Sequence, residues 1–156
     1  MIFLSISFSA LRRATYSSVT SCMTQAMVKL GELNSRMKDF FDVTQLANAY
    51  DFVGERLGEA IKQTFSRRQT DVESQPFCFT TDFAQDRTKQ TQWEAFIRRS
   101  ALTKAPSEFA RIAQEVKIFL QPPASAVRNG GALSSTVACR DGVEGAMTNA
   151  NPPHGK

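Results

Sequence analysis

Residues 105–123 read APSEFARIAQEVKIFLQPP, and this stretch decides the fold class. Its large apolar residues recur at intervals of three and four, which is the spacing of one face of an α-helix. Ser107 stands where a helix N-cap is expected, and Pro122 and Pro123 are expected to end the helix. The residues predicted to be buried are Phe109, Ile112, Ala113, Val116, Phe119 and Leu120.

Further helical patterns lie on the N-terminal side of this stretch. Apolar residues repeat at helical spacing in residues 23–30, 40–50 and 57–65. Ser35 is a plausible N-cap for the second of these helices. Trp93 lies in another helical pattern, where an aromatic residue is more typical of a core than of a base-stacking platform. The predicted fold class is mainly α.

Both ends of the chain lack these helical patterns. Residues 1–22 are rich in Ser and Thr, and the apolar residues between Ile2 and Phe8 alternate as in a strand, so an irregular leader or an extra strand is expected. Residues 123–156 are small and rich in Gly and Asn. A segment with so little apolar surface is predicted to be a disordered tail. The helical region is therefore expected to span 23–122.

The composition fits one domain and excludes several kinds of site. The chain has 156 residues, 42% of them hydrophobic, and a formal net charge of +4. This charge tolerates a polyanionic partner such as RNA or a nucleoside triphosphate without requiring one. The 3 cysteines are widely spaced and odd in number, which favours free thiols. The single histidine, His154, lies near the C-terminus, so no His-based catalytic or metal site is expected.

The apolar run at the N-terminus is too short to cross a bilayer as a helix. A secretory signal carries positive charge before its apolar run, whereas Arg12 and Arg13 follow this one. We therefore expect no membrane segment and a cytoplasmic location.

Residues 34–43, NSRMKDFFDV, combine a charged cluster with an apolar stripe. In a helix, the pairs Arg36–Asp39 and Lys38–Asp42 have offsets of three and four, so each pair lies within reach on the surface. A Lys or Arg can neutralise triphosphate oxygens, and a carboxylate can hold a divalent ion or orient an attacking hydroxyl. Surface ion pairs at a helix start explain the same spacing without any function. The pattern alone leaves both interpretations open.

Three blocks of the chain resemble, in order, the C-terminal half of the AbiEii/AbiGii nucleotidyltransferase toxin family. They are QAMVKLGELNSRMKDFFD, YDFVGERLGEAIKQTFSRRQT and FTTDFAQDRTKQTQWEAFIRR. SRMKDFFD is similar to that family's Arg-x-Lys-Asp-x-x-Asp motif. The resemblance implies the toxin of a bacterial type IV toxin–antitoxin or abortive-infection system. Such a toxin transfers a nucleotide from a nucleoside triphosphate (NTP) to an acceptor such as tRNA, with Mg²⁺.

The resemblance also assigns roles to four residues of the motif. Arg36 and Lys38 would bind the nucleotide phosphates, Asp39 would be the catalytic or substrate-orienting carboxylate, and Asp42 would support it. A cognate antitoxin and an RNA acceptor are the partners that it implies.

Two departures from the family pattern lead to a narrower expectation. The family's N-terminal α/β half, whose Asp-x-Asp ligates the metals, has no counterpart here. Cys22 and Met23 stand where the family carries a Glu-Lys pair. The chain is therefore expected to be the helical C-terminal half of an α+β protein, from a truncated or frame-disrupted gene. It would be inactive alone, with no metal ligands and no Mg²⁺ or NTP of its own. The alternative is a small helical interaction module for an antitoxin, a partner subunit or RNA.

Overall fold

The computed structural model describes the backbone of residues 3–73 and 75–129 and the side chains of residues 15–73 and 75–129. Over these residues the chain forms α-helices and two short 3₁₀ turns, with no β-strand, which confirms the predicted mainly α class. The helices are α1 (Phe3–Leu30), α2 (Met37–Ala49), α3 (Gly54–Arg67), α4 (Thr81–Gln85), α5 (Arg87–Arg99) and α6 (Phe109–Asn129). The 3₁₀ turns are Gly31–Leu33 and Phe77–Phe79.

Helix α6 lies at the centre of the core and contacts α2, α3, α4 and α5. Its whole predicted stripe is buried, which confirms the helical interpretation of residues 109–120. Burying one large apolar side chain stabilises the folded state by roughly 1.5–3 kcal/mol, so a stripe of this length dominates the packing. The other helices are arranged around it.

Aromatic rings from four helices meet near the start of α6. The ring centroid of Phe109 lies 5.2 Å from that of Phe40 in α2, 5.9 Å from Phe83 in α4 and 6.1 Å from Trp93 in α5. Trp93 has no exposed surface, and its indole Nε1 donates a hydrogen bond to the carbonyl of Pro106 at 2.8 Å. The prediction that Trp93 belongs to the core is confirmed.

Helix α3 lies between α1 and α6. Leu57 and Ile61 are buried as predicted, and Gly58 between them is buried too. On the side of α1, the hydroxyl of Ser21 lies 2.8 Å from the hydroxyl of Thr64. Small side chains at this contact let the backbones of α1 and α3 approach closely.

The expected irregular leader or strand over residues 1–22 is wrong, because α1 runs unbroken from Phe3 to Leu30. Ser17, Thr20 and Ser21 lie at intervals of three and one on a single buried face of this helix. Their side chains are small and polar, so α1 packs closely here without a stripe of large apolar residues. Apolar periodicity, which the sequence prediction relied on, is therefore missing from this part of α1.

The expectation that Pro122 and Pro123 end the last helix is also wrong, because α6 continues to Asn129. Pro123 is buried, and Val127 one turn later packs against the core. These apolar contacts offset the backbone hydrogen bonds that the two prolines cannot donate. Residues 123–129 are thus helical rather than disordered, and residues 130–156 of the predicted tail lie outside the described residues.

Candidate functional site

The chain enters α2 through a 3₁₀ turn and a buried asparagine. Gly31 has a φ of 49°, a left-handed conformation that glycine adopts without strain. Asn34 has no exposed surface, and its Oδ1 accepts a hydrogen bond from the backbone N–H of Arg36 at 2.9 Å. Arg36 occupies the N-cap position, where no side chain caps the helix directly. The predicted cap, Ser35, is therefore wrong, and Asn34 orders the helix start instead.

Arg36 and Asp39 form an ion pair at the start of α2. Arg36 Nε lies 2.8 Å from Asp39 Oδ2, and Arg36 Nη2 donates to Asp39 Oδ1 at 3.3 Å. The arginine side chain is 56% exposed, whereas the aspartate side chain is 8% exposed. The pair therefore joins a cation that is open to solvent with a carboxylate that is nearly covered.

Lys38 and Asp42 form a second ion pair on the same helix, four residues apart. The lysine side chain is 71% exposed and the aspartate side chain is 25% exposed. Solvent-exposed ion pairs contribute little to stability, typically about 0–1 kcal/mol. Lys38 can therefore exchange its carboxylate partner for another anion at little cost to the fold.

The two pairs act on one another electrostatically. Burial raises the pKa of Asp39 above its ordinary value, the charge of Arg36 opposes this rise, Asp42 adds to it and Lys38 opposes it. Every charged residue of the sequence motif thus influences the same carboxyl group. The structure brings all four predicted site residues together, and we call Arg36, Lys38, Asp39 and Asp42 the motif cluster.

The core holds the motif cluster in place from the other side of α2. Phe40 and Val43 have no exposed surface, as the predicted apolar stripe required. Because the apolar residues face the core, rotation of α2 about its axis would expose Phe40 and Val43 to solvent. The motif cluster therefore presents two solvent-exposed cations and two carboxylates on a rigid support.

A groove of about 430 Å³ runs along α2 beside Phe41, Gln45 and Asn48. Its other wall is formed by the segment between α5 and α6 and by the first turns of α6. No residue of the motif cluster lines this groove. The predicted site residues thus lie outside this groove.

The sequence analysis did not identify one residue that contacts the segment leading into α2. Lys89 in α5 is 7% exposed, and its Nζ donates to the carbonyls of Glu32 and Asn34 at 2.7 and 2.8 Å. The sequence does contain a signal for this residue: Trp93 and Phe96 follow Lys89 by four and seven residues. That spacing places the lysine on the apolar stripe of its helix.

Comparison with known proteins identifies the family to which this chain belongs. The family model described as "Nucleotidyl transferase AbiEii toxin, Type IV TA system" matches residues 23–115, which is more than half of the chain. The chain belongs to the AbiEii nucleotidyl transferase toxin family. No curated protein and no solved structure gave a match. The resemblance noted in the sequence is confirmed.

The AbiEii match contains the whole motif cluster and Lys89. It begins at Met23 inside α1 and ends at Glu115 inside α6. Each of these two helices therefore continues beyond the AbiEii region, α1 towards its N-terminus and α6 towards its C-terminus. The ends of the family match therefore do not coincide with the ends of helices.

The motif cluster does not by itself fit the magnesium ion that the AbiEii resemblance implies. Asp39 and Asp42 supply two carboxylates, one of which is already paired with Arg36. Among the described residues, no group of three or more His, Cys, Asp or Glu side chains is placed to hold a metal ion. We therefore assign no resident metal site to these residues.

Two other sequence predictions concern the surroundings of the AbiEii region. Cys22 is exposed and Cys78 is buried, and both are free thiols as expected, while Cys139 lies outside the described residues. Over residues 3–73 and 75–129, none of the helices has the length and apolar character needed to cross a bilayer.

Proposed function

We propose that the motif cluster is the nucleotide-binding wall of an AbiEii-type nucleotidyltransferase active site. Arg36 and Lys38 bind phosphate oxygens of an NTP, Asp39 orients the attacking hydroxyl of the acceptor, and Asp42 supports it. The observation that carries this proposal is the arrangement of two exposed cations, each held by a carboxylate, on one core-anchored helix. Because both cations are solvent-exposed, phosphate oxygens can approach them without rearrangement of the backbone.

The burial of Asp39 suits a role in handling a proton. A carboxylate whose pKa is raised towards neutrality is a better proton acceptor than an ordinary surface aspartate. When phosphates take over Arg36, Asp39 loses its cationic partner and becomes free to accept a hydrogen bond from a hydroxyl group. The acceptor that we propose is an RNA such as tRNA, with which a net charge of +4 is compatible.

We propose further that this chain does not complete the transfer by itself. Stabilising charge on a transferring phosphoryl group normally requires divalent metal ions, and the motif cluster does not form a metal site. Magnesium would arrive with the nucleotide and with carboxylates from outside the motif cluster. The proposed setting is the cytoplasm of a bacterium, within a type IV toxin–antitoxin or abortive-infection system that includes a cognate antitoxin.

Titration of the purified chain with labelled NTPs tests the nucleotide-binding wall. We expect Arg36→Met and Lys38→Met each to weaken binding by roughly tenfold, which corresponds to about 1.4 kcal/mol. Lys62→Met, which removes an exposed lysine from α3, is the matched control and should leave the affinity unchanged. Equal weakening in the control, or no binding by the wild-type chain, contradicts the proposal.

Incubation with labelled NTPs, magnesium and total tRNA tests whether the chain acts alone. We expect no transfer of label to RNA. Robust transfer by the wild-type chain would overturn the claim of inactivity. The Asp39→Asn variant would then show whether that transfer depends on the motif cluster, because a contaminating enzyme would be insensitive to the change.

A second candidate function, the binding of a protein partner such as an antitoxin, is favoured by exposed apolar side chains next to the motif. Leu33 is 86% exposed, and Leu30 and Phe77 are 39% and 38% exposed. The 3₁₀ turns that carry Leu33 and Phe77 contact each other. Size-exclusion chromatography at several concentrations, together with a pulldown with Leu33→Ser as control, tests this function. A concentration-independent monomer that captures no partner would count against it.

A further inference from the structure

Lys89 is nearly buried, and its ammonium group is surrounded by neutral groups. Its Nζ donates to the carbonyl oxygen of Glu32 at 2.7 Å and to that of Asn34 at 2.8 Å. It also lies 5.0 Å from the ring centroid of Phe83. Among the described residues it forms no ion pair with a carboxylate. Backbone carbonyls and an aromatic face thus replace the water that the ammonium group has lost.

An apolar residue would fill this position at lower cost. Removing an ammonium group from water is unfavourable unless its donors are satisfied, whereas a methionine has a similar length and no charge to desolvate. Lys89 also shares its stripe with Trp93, which is part of the core. The reason for a lysine here is therefore to be sought in the two carbonyls that it binds.

Those carbonyls belong to the segment that leads directly into the motif cluster. Lys89 binds the carbonyl of Asn34, the side-chain Oδ1 of Asn34 accepts from the backbone N–H of Arg36, and Arg36 reaches Asp39. We propose that Lys89 is a positioning residue that fixes this segment and thereby holds Arg36 against Asp39. Its importance for catalysis rests on the proposed function of the motif cluster, whereas its geometric role does not.

The contribution of Lys89 can be separated from direct electrostatics. The charges that act on the carboxyl group of Asp39 are those of Arg36, Asp42 and Lys38. Lys89 does not belong to this set, so we expect removal of its charge to affect Asp39 mainly through movement of the intervening segment. A change at Asp39 in a Lys89 variant therefore reports on the position of Arg36.

NMR spectroscopy of the full chain can follow both ends of this connection. Titration of the Asp39 carboxyl carbon gives its pKa, and amide hydrogen exchange at Arg36 reports on the hydrogen bond to Asn34. We would compare the wild-type chain with Lys89→Met and Arg36→Met. Ile61→Val, which removes one buried methylene group from α3, is the control for a general loss of stability.

Lys89→Met is expected to raise the pKa of Asp39 by at least half as much as Arg36→Met does. It should also speed exchange of the Arg36 amide while the amides of α3 keep their protection. Asn34→Ala removes the hydrogen bond between Asn34 and the Arg36 amide and should produce the same two changes. It therefore tests the positioning role if Lys89→Met does not fold. Ile61→Val should produce neither change.

An unchanged Asp39 pKa in both Lys89→Met and Asn34→Ala would overturn the positioning role, as would the same shift in Ile61→Val. None of these measurements needs a nucleotide. If the wild-type chain fails to bind NTP, the proposed function fails, while the Asp39 and Arg36 measurements still decide the role of Lys89.

Discussion

Asp39 does not behave like half of an ordinary surface ion pair. Such a pair favours the ionised carboxylate and lowers its pKa. At Asp39 the dominant influence is burial, which raises the pKa despite the contact with Arg36. The ionised form is therefore less stable in the folded chain than in the unfolded one. Retaining a carboxylate that costs stability supports the proposed role of Asp39 in function, since stability alone would favour a neutral residue.

This cost predicts how Asp39→Asn changes stability with pH. Because the folded-state pKa is raised, the folded chain holds more protons than the unfolded chain above the ordinary value of 3.8, and stability falls as the pH rises through that window. Asp39→Asn removes this loss. Urea unfolding near neutral pH should find the variant at least as stable as wild type, with the difference disappearing below the ordinary pKa. A variant clearly less stable at neutral pH contradicts this account.

Cys78 provides a second prediction for a single residue. Burial raises the pKa of its thiol to about 12, and the side chain has no exposed surface. Since the thiolate is the reactive form, Cys78 should resist a thiol reagent at mildly alkaline pH until the chain unfolds. The variant with Cys22→Ser and Cys139→Ser isolates this thiol. Rapid labelling of that folded variant would contradict the prediction, and labelling in urea is the positive control.

At the scale of helices, the apolar stripes could be predicted from the sequence but several caps could not. Thr80 and Asp86 cap α4 and α5 through neighbours in the chain, which a sequence pattern can identify. The first amide of α6 is different, because Phe109 N–H donates to Oε1 of Gln90 in α5 at 2.8 Å. The predicted cap, Ser107, only offers its carbonyl to Gln90. A cap supplied by another helix has no local signature.

The contact of α1 with α3 escaped prediction for a related reason. Its small polar residues carry no apolar periodicity, so their burial is visible only when α3 is in place. The four residues of the motif cluster could be named in advance because their spacing alone brings them together on one helix. The spacing of Lys89 from Trp93 shows that it lies on an apolar stripe, but its contacts could not be predicted, since its acceptors are backbone carbonyls in a distant part of the sequence.

The close approach of α1 and α3 predicts a strong dependence on side-chain size. Ser21 has no exposed surface and faces Thr64 of α3. Ser21→Leu should lower the free energy of unfolding by about 1–3 kcal/mol, because the added methylenes force the helices apart. Ser18→Leu makes the same change on the exposed side of α1 and should have little effect. Equal effects of the two substitutions in urea unfolding would show that α1 does not pack in this way.

For the whole molecule, the parts of α1 and α6 outside the AbiEii match are joined to the parts inside it. The ring of Tyr16 stacks on that of Tyr50 after α2, with centroids 3.9 Å apart. At the other end, the ring of Phe119 lies 5.0 Å from that of Phe52, inside the match, and Val127 packs against the same core. The motif cluster therefore rests on a core to which both the AbiEii region and its flanking segments contribute.

A shared core predicts that the described residues unfold in one step. Trp93, the only tryptophan, contacts rings from α2, α5 and α6, so its fluorescence reports on the centre of the core. Far-UV circular dichroism reports on all helices, including the long α1. Because α3 links α1 to α6, both signals should change at the same urea concentration. If helicity were lost well before the fluorescence changed, α1 would be an independent unit, and the motif cluster would depend on the AbiEii region alone.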